Sequence, residues 1–174
     1  MPERVCESCG LSLRLYRAQA RTCSALCRKR LSRRFDFPKA MTSRDRWVRR
    51  TAKKRPVTIS GKSASSTDPA TWSSFAAAKS SAAGVGLGFV LGDGIGCIDL
   101  DHCFEGGKLA AWARDAIDVI SEPIIFAEVS QSGDGVHVFI EASEGPGRVI
   151  RDGRNIERYT TGRYIAVTGD RLKL

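Results

Sequence analysis

The stretch Gly86–Asp101, GLGFVLGDGIGCIDLD, constrains this chain more than any other. Two apolar runs flank Asp93-Gly94, a residue pair favoured in tight two-residue turns, so the stretch reads as a β-hairpin. In the second run Ile98 and Leu100 point one way, and Asp99 and Asp101 the other. The two carboxylates share one strand face about 6–7 Å apart, and neither can be buried cheaply without a partner. They repel unless something positive sits between them. Hard oxygen ligands at this spacing suit Mg²⁺ or Mn²⁺; the alternative is an edge strand with two solvated acids.

The elements around this hairpin are also legible. Ser66–Trp72, STDPATW, opens a helix, with Asp68 as cap, Pro69 in the first turn and Trp72, Phe75 and Ala76 on one face. Residues 108–120 read as an amphipathic helix with Leu109, Trp112, Ala116 and Val119 as its apolar stripe. IFAEVSQSG and GVHVFIEA form two strands around a Gly-Asp-Gly turn at 133–135. His137 alternates with Val136 and Val138 and faces away from them; by position alone it fits a half-buried structural histidine. Two further strands, Asn155–Thr160 and Arg163–Thr168, are separated near Gly162, with Glu157 inside the first and Arg163 opening the second.

The N-terminal third differs in kind. Residues 1–56 hold 17 Lys+Arg against 4 Asp+Glu, whereas residues 57–174 hold 11 against 15, so the net charge of +9 belongs to the first third. A concentrated basic segment suits a phosphate backbone or an anionic surface. Cys6 and Cys9 form C-x2-C, Cys23 and Cys27 form C-x3-C, and Gly10 suits the turn of a zinc knuckle. A C-x2-C turn sets two thiolates about 3.5–4 Å apart, right for two corners of a Zn²⁺ tetrahedron. Two disulfides are the alternative, against which an intracellular chain argues. Ser24 caps a helix carrying Arg28, Lys29, Arg30, Arg33 and Arg34, a basic rod suited to phosphates and without an evident base-reading code. From Asp36 onward periodicity weakens. Residues 36–55 read as a basic linker, or over 43–54 as a basic helix anchored by Trp47 and Val48. The expected domains are therefore a zinc module over 1–35, the linker over 36–55 and a catalytic domain over 56–174. No window of 18 apolar residues exists and no signal peptide opens the chain, so a soluble cytoplasmic protein with no membrane partner is expected.

The order IDLDHC, SQSGDGVHVFI, IERYTTGRYIAVTGD resembles the prim-pol domain of the archaeo-eukaryotic primase superfamily, in its phage, plasmid and bacterial form. ASSTDPATWSSF, before the first motif, resembles the start of these domains, and the resemblance covers about residues 56–174. It implies an α+β fold, an RRM-like antiparallel sheet with packed helices, here preceded by the zinc module. By that resemblance Asp99, Asp101 and Glu157 match the metal-binding carboxylates, and His137 the histidine that contacts the incoming nucleotide's phosphates. Arg163, Thr168 and Gly169 match the R…TG end of the pattern. Ser132, Gly133 and Gly135 supply a Gly-rich turn whose amides can hold triphosphate oxygens. The implied function is DNA primase/polymerase chemistry, nucleotidyl transfer by a two-metal mechanism with Mg²⁺ or Mn²⁺ as catalytic cofactor and Zn²⁺ as structural one. The implied partners are single-stranded DNA template, nucleoside triphosphates and a separate replicative helicase. The alternatives are a catalytically inactive single-stranded-DNA-binding accessory protein, or a related metal-dependent nuclease or repair polymerase.

Overall fold

The computed structural model describes residues 4–32 and 37–174. In chain order its helices are α1 (Ala25–Ser32), α2 (Lys39–Thr42), α3 (Phe75–Ser80) and α4 (Ala111–Asp118). Its strands are β1 (Trp47–Arg50), β2 (Pro56–Val57), β3 (Gly86–Val90), β4 (Ile95–Asp101), β5 (Phe104–Glu105), β6 (Lys108–Leu109), β7 (Ile124–Val129), β8 (Val136–Glu141), β9 (Arg148–Arg151), β10 (Asn155–Tyr159), β11 (Tyr164–Val167) and β12 (Arg171–Leu172). Every pairing between these strands is antiparallel, and the fold is α+β with few helices. A six-stranded sheet runs β12-β7-β8-β4-β10-β9 and a four-stranded sheet runs β11-β3-β1-β2.

Side-chain alternation on the six-stranded sheet builds two cores. On one face Ile98, Leu100, Val136, Val138, Ile140 and Ala127 pack against Ala113 and Ile117 of α4. On the other, Ile95, Cys97, Phe126 and Phe139 pack against Trp47, Phe89, Ile165 and Val167 of the four-stranded sheet. Phe126 and Phe139 stack with ring centroids 4.8 Å apart. Burying side chains of this size contributes about 1.5–3 kcal/mol each.

Several expectations need correction. Residues 47–50 are neither linker nor helix but β1, a central strand. Trp47 and Val48 are fully buried, and the Trp47 ring lies 4.7–5.2 Å from those of Phe37, Phe75 and Phe89. The arginines that made this segment look like a tether sit in or directly before β1: Arg46 and Arg49 bind backbone carbonyls, and Arg50 lies flat over Gly86. The hairpin at 86–101 is half right. Asp93 and Gly94 form the tight turn with φ of 53° and 80°. Yet β3 is flanked by β1 and β11, and β4 by β8 and β10, so neither has an edge left for the other and they diverge into two sheets.

The single helix expected after Asp68 is two short pieces. Asp68 caps a 3-10 turn at Pro69–Thr71. Ser73 then leaves to exchange backbone hydrogen bonds with Trp47 at 2.8 and 3.0 Å, and Ser74 caps α3. The helix expected over 108–120 spans only Ala111–Asp118, because Lys108–Leu109 pair with Phe104–Glu105 as β6. Leu109, Trp112 and Ala116 of the expected stripe do pack against the core beside buried Ala113 and Ile117, whereas Val119, at the C-cap just past the helix, is 78% exposed. No helix among the described residues is long and apolar enough to cross a membrane.

Candidate active site

Cross-strand register assembles one row of polar side chains. Glu157 of β10 stands opposite Asp99 of β4, Asp99 opposite His137 of β8, His137 opposite Glu128 of β7, and Glu128 opposite Arg171 of β12. Directly opposed residues share a sheet face, so motifs far apart in the chain become neighbours. The row continues the face that carries Phe126 and Phe139, beyond the aromatic core.

At one end the row is tightly wired. Glu128 is fully buried. Its Oε1 accepts from His137 Nδ1 at 3.0 Å, which assigns the proton to Nδ1 because a carboxylate only accepts. Its Oε2 accepts from the backbone N–H groups of Thr168 at 3.0 Å and Gly169 at 2.7 Å. The Thr168 hydroxyl divides one proton between Glu128 at 3.1 Å and the Val129 carbonyl at 2.7 Å. Thr168-Gly169, recognised in the sequence only as a motif end, thus anchors Glu128, and Glu128 orients His137. Sequence reasoning missed Glu128. Its signal was an acid inside the apolar run IFAEV, two residues before a Ser/Gly-rich turn.

The far Nε2 of His137 lies 3.7 Å from Asp99 Oδ1. Burial alone would lower the His137 pKa, but the Glu128 hydrogen bond and charge, with Asp99, raise it above its ordinary value. Burial pushes the Asp99 carboxyl up; His137 opposes this, and Asp101 and Glu157 add to it. Asp99 Oδ1 is buried without a hydrogen-bond partner, a costly state for an acid facing another acid across the ladder. An orphaned carboxylate oxygen with Glu157 opposite and Asp101 two residues on fits a divalent cation coordinated by oxygen.

Glu157 meanwhile pairs with Arg151 and has Arg163 at 3.9 Å. Arg163 also donates to the Tyr159 hydroxyl at 2.7 Å and stacks over that ring. The three carboxylates are accordingly not drawn into a tight cluster: among the described residues the one group of ligand atoms all within 4.8 Å of one another is the four cysteines. Gly135 borders the row, since a Cβ there would sit 2.9 Å from the Leu100 carbonyl and 3.5 Å from Asp101 Oδ1. Ser132 bonds Ser130 at 2.9 Å, Gly133 takes φ of 87°, and Asp134 receives His102 Nδ1 at 2.7 Å. Lys54, in the β1–β2 turn and within the expected linker, is another residue that sequence reasoning missed; its positive charge opposes the rise in the pKa of both Asp99 and His137.

The four cysteine ligand atoms form a separate centre. Sγ–Sγ distances are 3.5 Å for Cys9–Cys23 and 3.6 Å for Cys23–Cys27, near the ~3.8 Å edge of a tetrahedron with 2.3 Å metal–sulfur bonds. Burial would push the Cys6 thiol up, but the N–H groups of Cys23, Cys9 and Ser8 outweigh it and bring it down to about 6. The Ser24 hydroxyl holds Cys27 down as well, and Ser24 caps α1 by accepting from Cys27 N at 3.1 Å. The cluster could hold a metal ion and is consistent with a small zinc module. Arg28 and Lys29 are exposed on α1, Arg30 lies within it, and Arg33 and Arg34 fall outside the described residues. A small polar cleft of about 70 Å³ brings Ser8 of this module beside Ser130 and Gln131 of the Gly-rich turn.

Comparison with known proteins agrees with the motif order. The family model described as "Bifunctional DNA primase/polymerase, N-terminal" matches residues 20–173. The chain is 37% identical over 122 residues to a DNA primase-polymerase of Nitratiruptor phage NrS-1; the match covers 63% of this chain and 16% of that protein.

Proposed function

The chain belongs to the bifunctional DNA primase/polymerase family, and we propose from that premise that it catalyses template-directed nucleotidyl transfer with the polar row as its active site. The observation that carries this reading is the register that sets Glu157, Asp99 and His137 side by side on one sheet face. Asp99, Asp101 and Glu157 would hold the catalytic cation. Bound there, Mg²⁺ or Mn²⁺ would neutralise charge on the attacking 3′-oxygen and on the departing pyrophosphate. His137, held through Nδ1 by Glu128, keeps Nε2 to donate to a phosphate oxygen of the nucleoside triphosphate in the imidazolium form that the Glu128 and Asp99 charges favour. Backbone amides of the Ser132–Gly135 turn take further phosphate oxygens, with Gly135 leaving room beside Asp101. Arg163 and Arg151 neutralise Glu157 before the cation arrives and are then free to meet the triphosphate.

The cysteines hold Zn²⁺ as a structural ion, and Arg28, Lys29, Arg30, Arg33 and Arg34 contact template phosphates. Purified protein is expected to carry about one Zn per chain by metal analysis, and chelation is expected to unfold the knuckle; a metal-free yet folded knuckle removes this part of the reading. The reading also implies a replicative helicase as partner in replication. Its test is incorporation of labelled nucleotides on single-stranded template with Mg²⁺ or Mn²⁺, comparing wild type with Asp99→Ala/Asp101→Ala. Product from wild type alone supports it. Equal product from both contradicts it. No product from either, with equal DNA binding, favours an inactive binding module.

A further inference from the structure

A groove of about 580 Å³ on the N-terminal module is lined by Tyr16, Arg17, Ala20, Arg21, Arg28 and Leu31, among others. We infer that this groove is a docking site for single-stranded DNA, with a base stacked on Tyr16 and flanking phosphates on Arg17 and Arg28. The inference deepens the proposed function and rests on it for the identity of the strand as template.

The aromatic is presented and held. Tyr16 is 41% exposed, although a tyrosine ring in water loses apolar burial that a core position would give it. Its loop is pinned from beneath by one guanidinium: Arg4 donates to the carbonyls of Leu13 and Tyr16 at 3.1 Å each and of Arg17 at 3.0 Å. Leu13 is fully buried among Cys6 and Cys27, which fixes the start of the loop to the metal-ligand cluster. Tyr16 N–H then donates to Leu13 O at 3.0 Å, and Ala20 N–H to Arg17 O at 2.9 Å. The ring therefore sits on a preorganised loop, and little loop ordering remains to oppose binding.

The charge selects the partner. Residues 4–32 carry seven Lys+Arg and one acid, Glu7. Arg21 takes both Glu7 oxygens at 2.6 and 2.7 Å, which leaves the cationic surplus of the groove with Arg17 and Arg28. An exposed aromatic ring that lines the same groove as two exposed guanidiniums is the chemistry that binds unpaired bases and their backbone. A duplex offers its base faces only to each other, so the groove favours single strands. The module that carries the groove abuts the polar row's turn, because Ser8 lines the cleft beside Ser130 and Gln131.

The test uses the full zinc-loaded chain and fluorescent oligo(dT), read by anisotropy at two salt concentrations, with primer extension run on the same preparations. Tyr16→Ala is expected to weaken oligo(dT) binding about tenfold or more, and Tyr16→Phe to retain it. Arg17→Ala/Arg28→Ala is expected to flatten the salt dependence by about 1.4 in log–log slope, ~0.7 per phosphate contact. A duplex of equal length is expected to bind more weakly and to ignore Tyr16→Ala. Unchanged zinc content and melting temperature guard against misfolded variants. Wild-type affinity in Tyr16→Ala, or no oligo(dT) binding by wild type, overturns the groove. If wild type extends primers while Tyr16→Ala binds normally, the groove fails and the polymerase reading stands. If Tyr16→Ala loses binding but wild type never extends a primer, the groove stands as a binding site and the polymerase reading fails. Preference for an acidic peptide over oligo(dT) assigns the groove to a protein partner and overturns the inference.

Discussion

Asp99→Asn is expected to abolish nucleotide incorporation while making the cation-free protein more stable. The first effect follows from removing a charged ligand from the site where charge develops, a loss of several kcal/mol of transition-state stabilisation or about a thousandfold in rate. The second follows from the surroundings of Asp99. Asp99 Oδ1 is buried without a hydrogen-bond partner, Glu157 is opposed across the ladder, and burial with its acidic neighbours raises the Asp99 pKa. A raised carboxyl pKa means that ionisation opposes folding, so its contribution to stability improves as pH falls through the folded value. The asparagine variant should therefore gain most near neutral pH, by about 1 kcal/mol or ~2–4 °C in melting temperature, and least in acid. Thermal melts of both proteins across pH, in chelator, check the sign. A lower melting temperature at neutral pH would show that Asp99 is a structural acid and not a strained ligand.

Glu128→Ala is expected to be the most destabilising single change in the site. It leaves His137 Nδ1–H and the N–H groups of Thr168 and Gly169 without their acceptor in a buried position. Breaking a buried charged pair of this kind costs about 3–5 kcal/mol, enough to lower the melting temperature by roughly 10 °C. Glu128→Gln keeps the volume but offers one acceptor oxygen where two are used. It should fold, raise KM for the nucleotide, and lower kcat less than Asp99→Asn does. The pH dependence carries the same signature. His137 is held above its ordinary pKa, so the stability it contributes is fully present below about 6.5 and lost as pH rises through the folded value. In Glu128→Gln the folded value falls toward the unfolded one, so that loss should be smaller and complete at lower pH. An unshifted profile would mean that the Glu128–His137 bond does not set the histidine's charge.

Much of the site was legible in the chain because local periodicity carries it. Alternation alone set Asp99 and Asp101 on the face opposite Ile98 and Leu100, and set His137 against Val136 and Val138, and β4 and β8 have those faces. Which strand lies beside which was not local information. Nothing in GLGFVLGDGIGCIDLD says that its two halves join different sheets; that depends on β1, β11, β8 and β10 taking their edges. The basic composition of 44–55 masked β1, because an arginine-rich strand with only Trp47 and Val48 fully buried reads as a tether until Met41, Phe37 and Phe75 are found around the indole. Glu128 was hidden for the same reason. One buried acid in an apolar strand has no meaning until Thr168, Gly169 and His137, all distant in sequence except the last, close around it.

The most direct measurement is single-nucleotide incorporation by the wild-type chain on a primed single-stranded oligonucleotide of defined sequence, one nucleoside triphosphate at a time, with Mg²⁺, Mn²⁺ or chelator. The polar row acting as a nucleotidyl-transfer site predicts addition of the complementary nucleotide only, in either metal, and none in chelator. A folded, zinc-loaded, template-bound protein that adds no nucleotide under any of these conditions would contradict it.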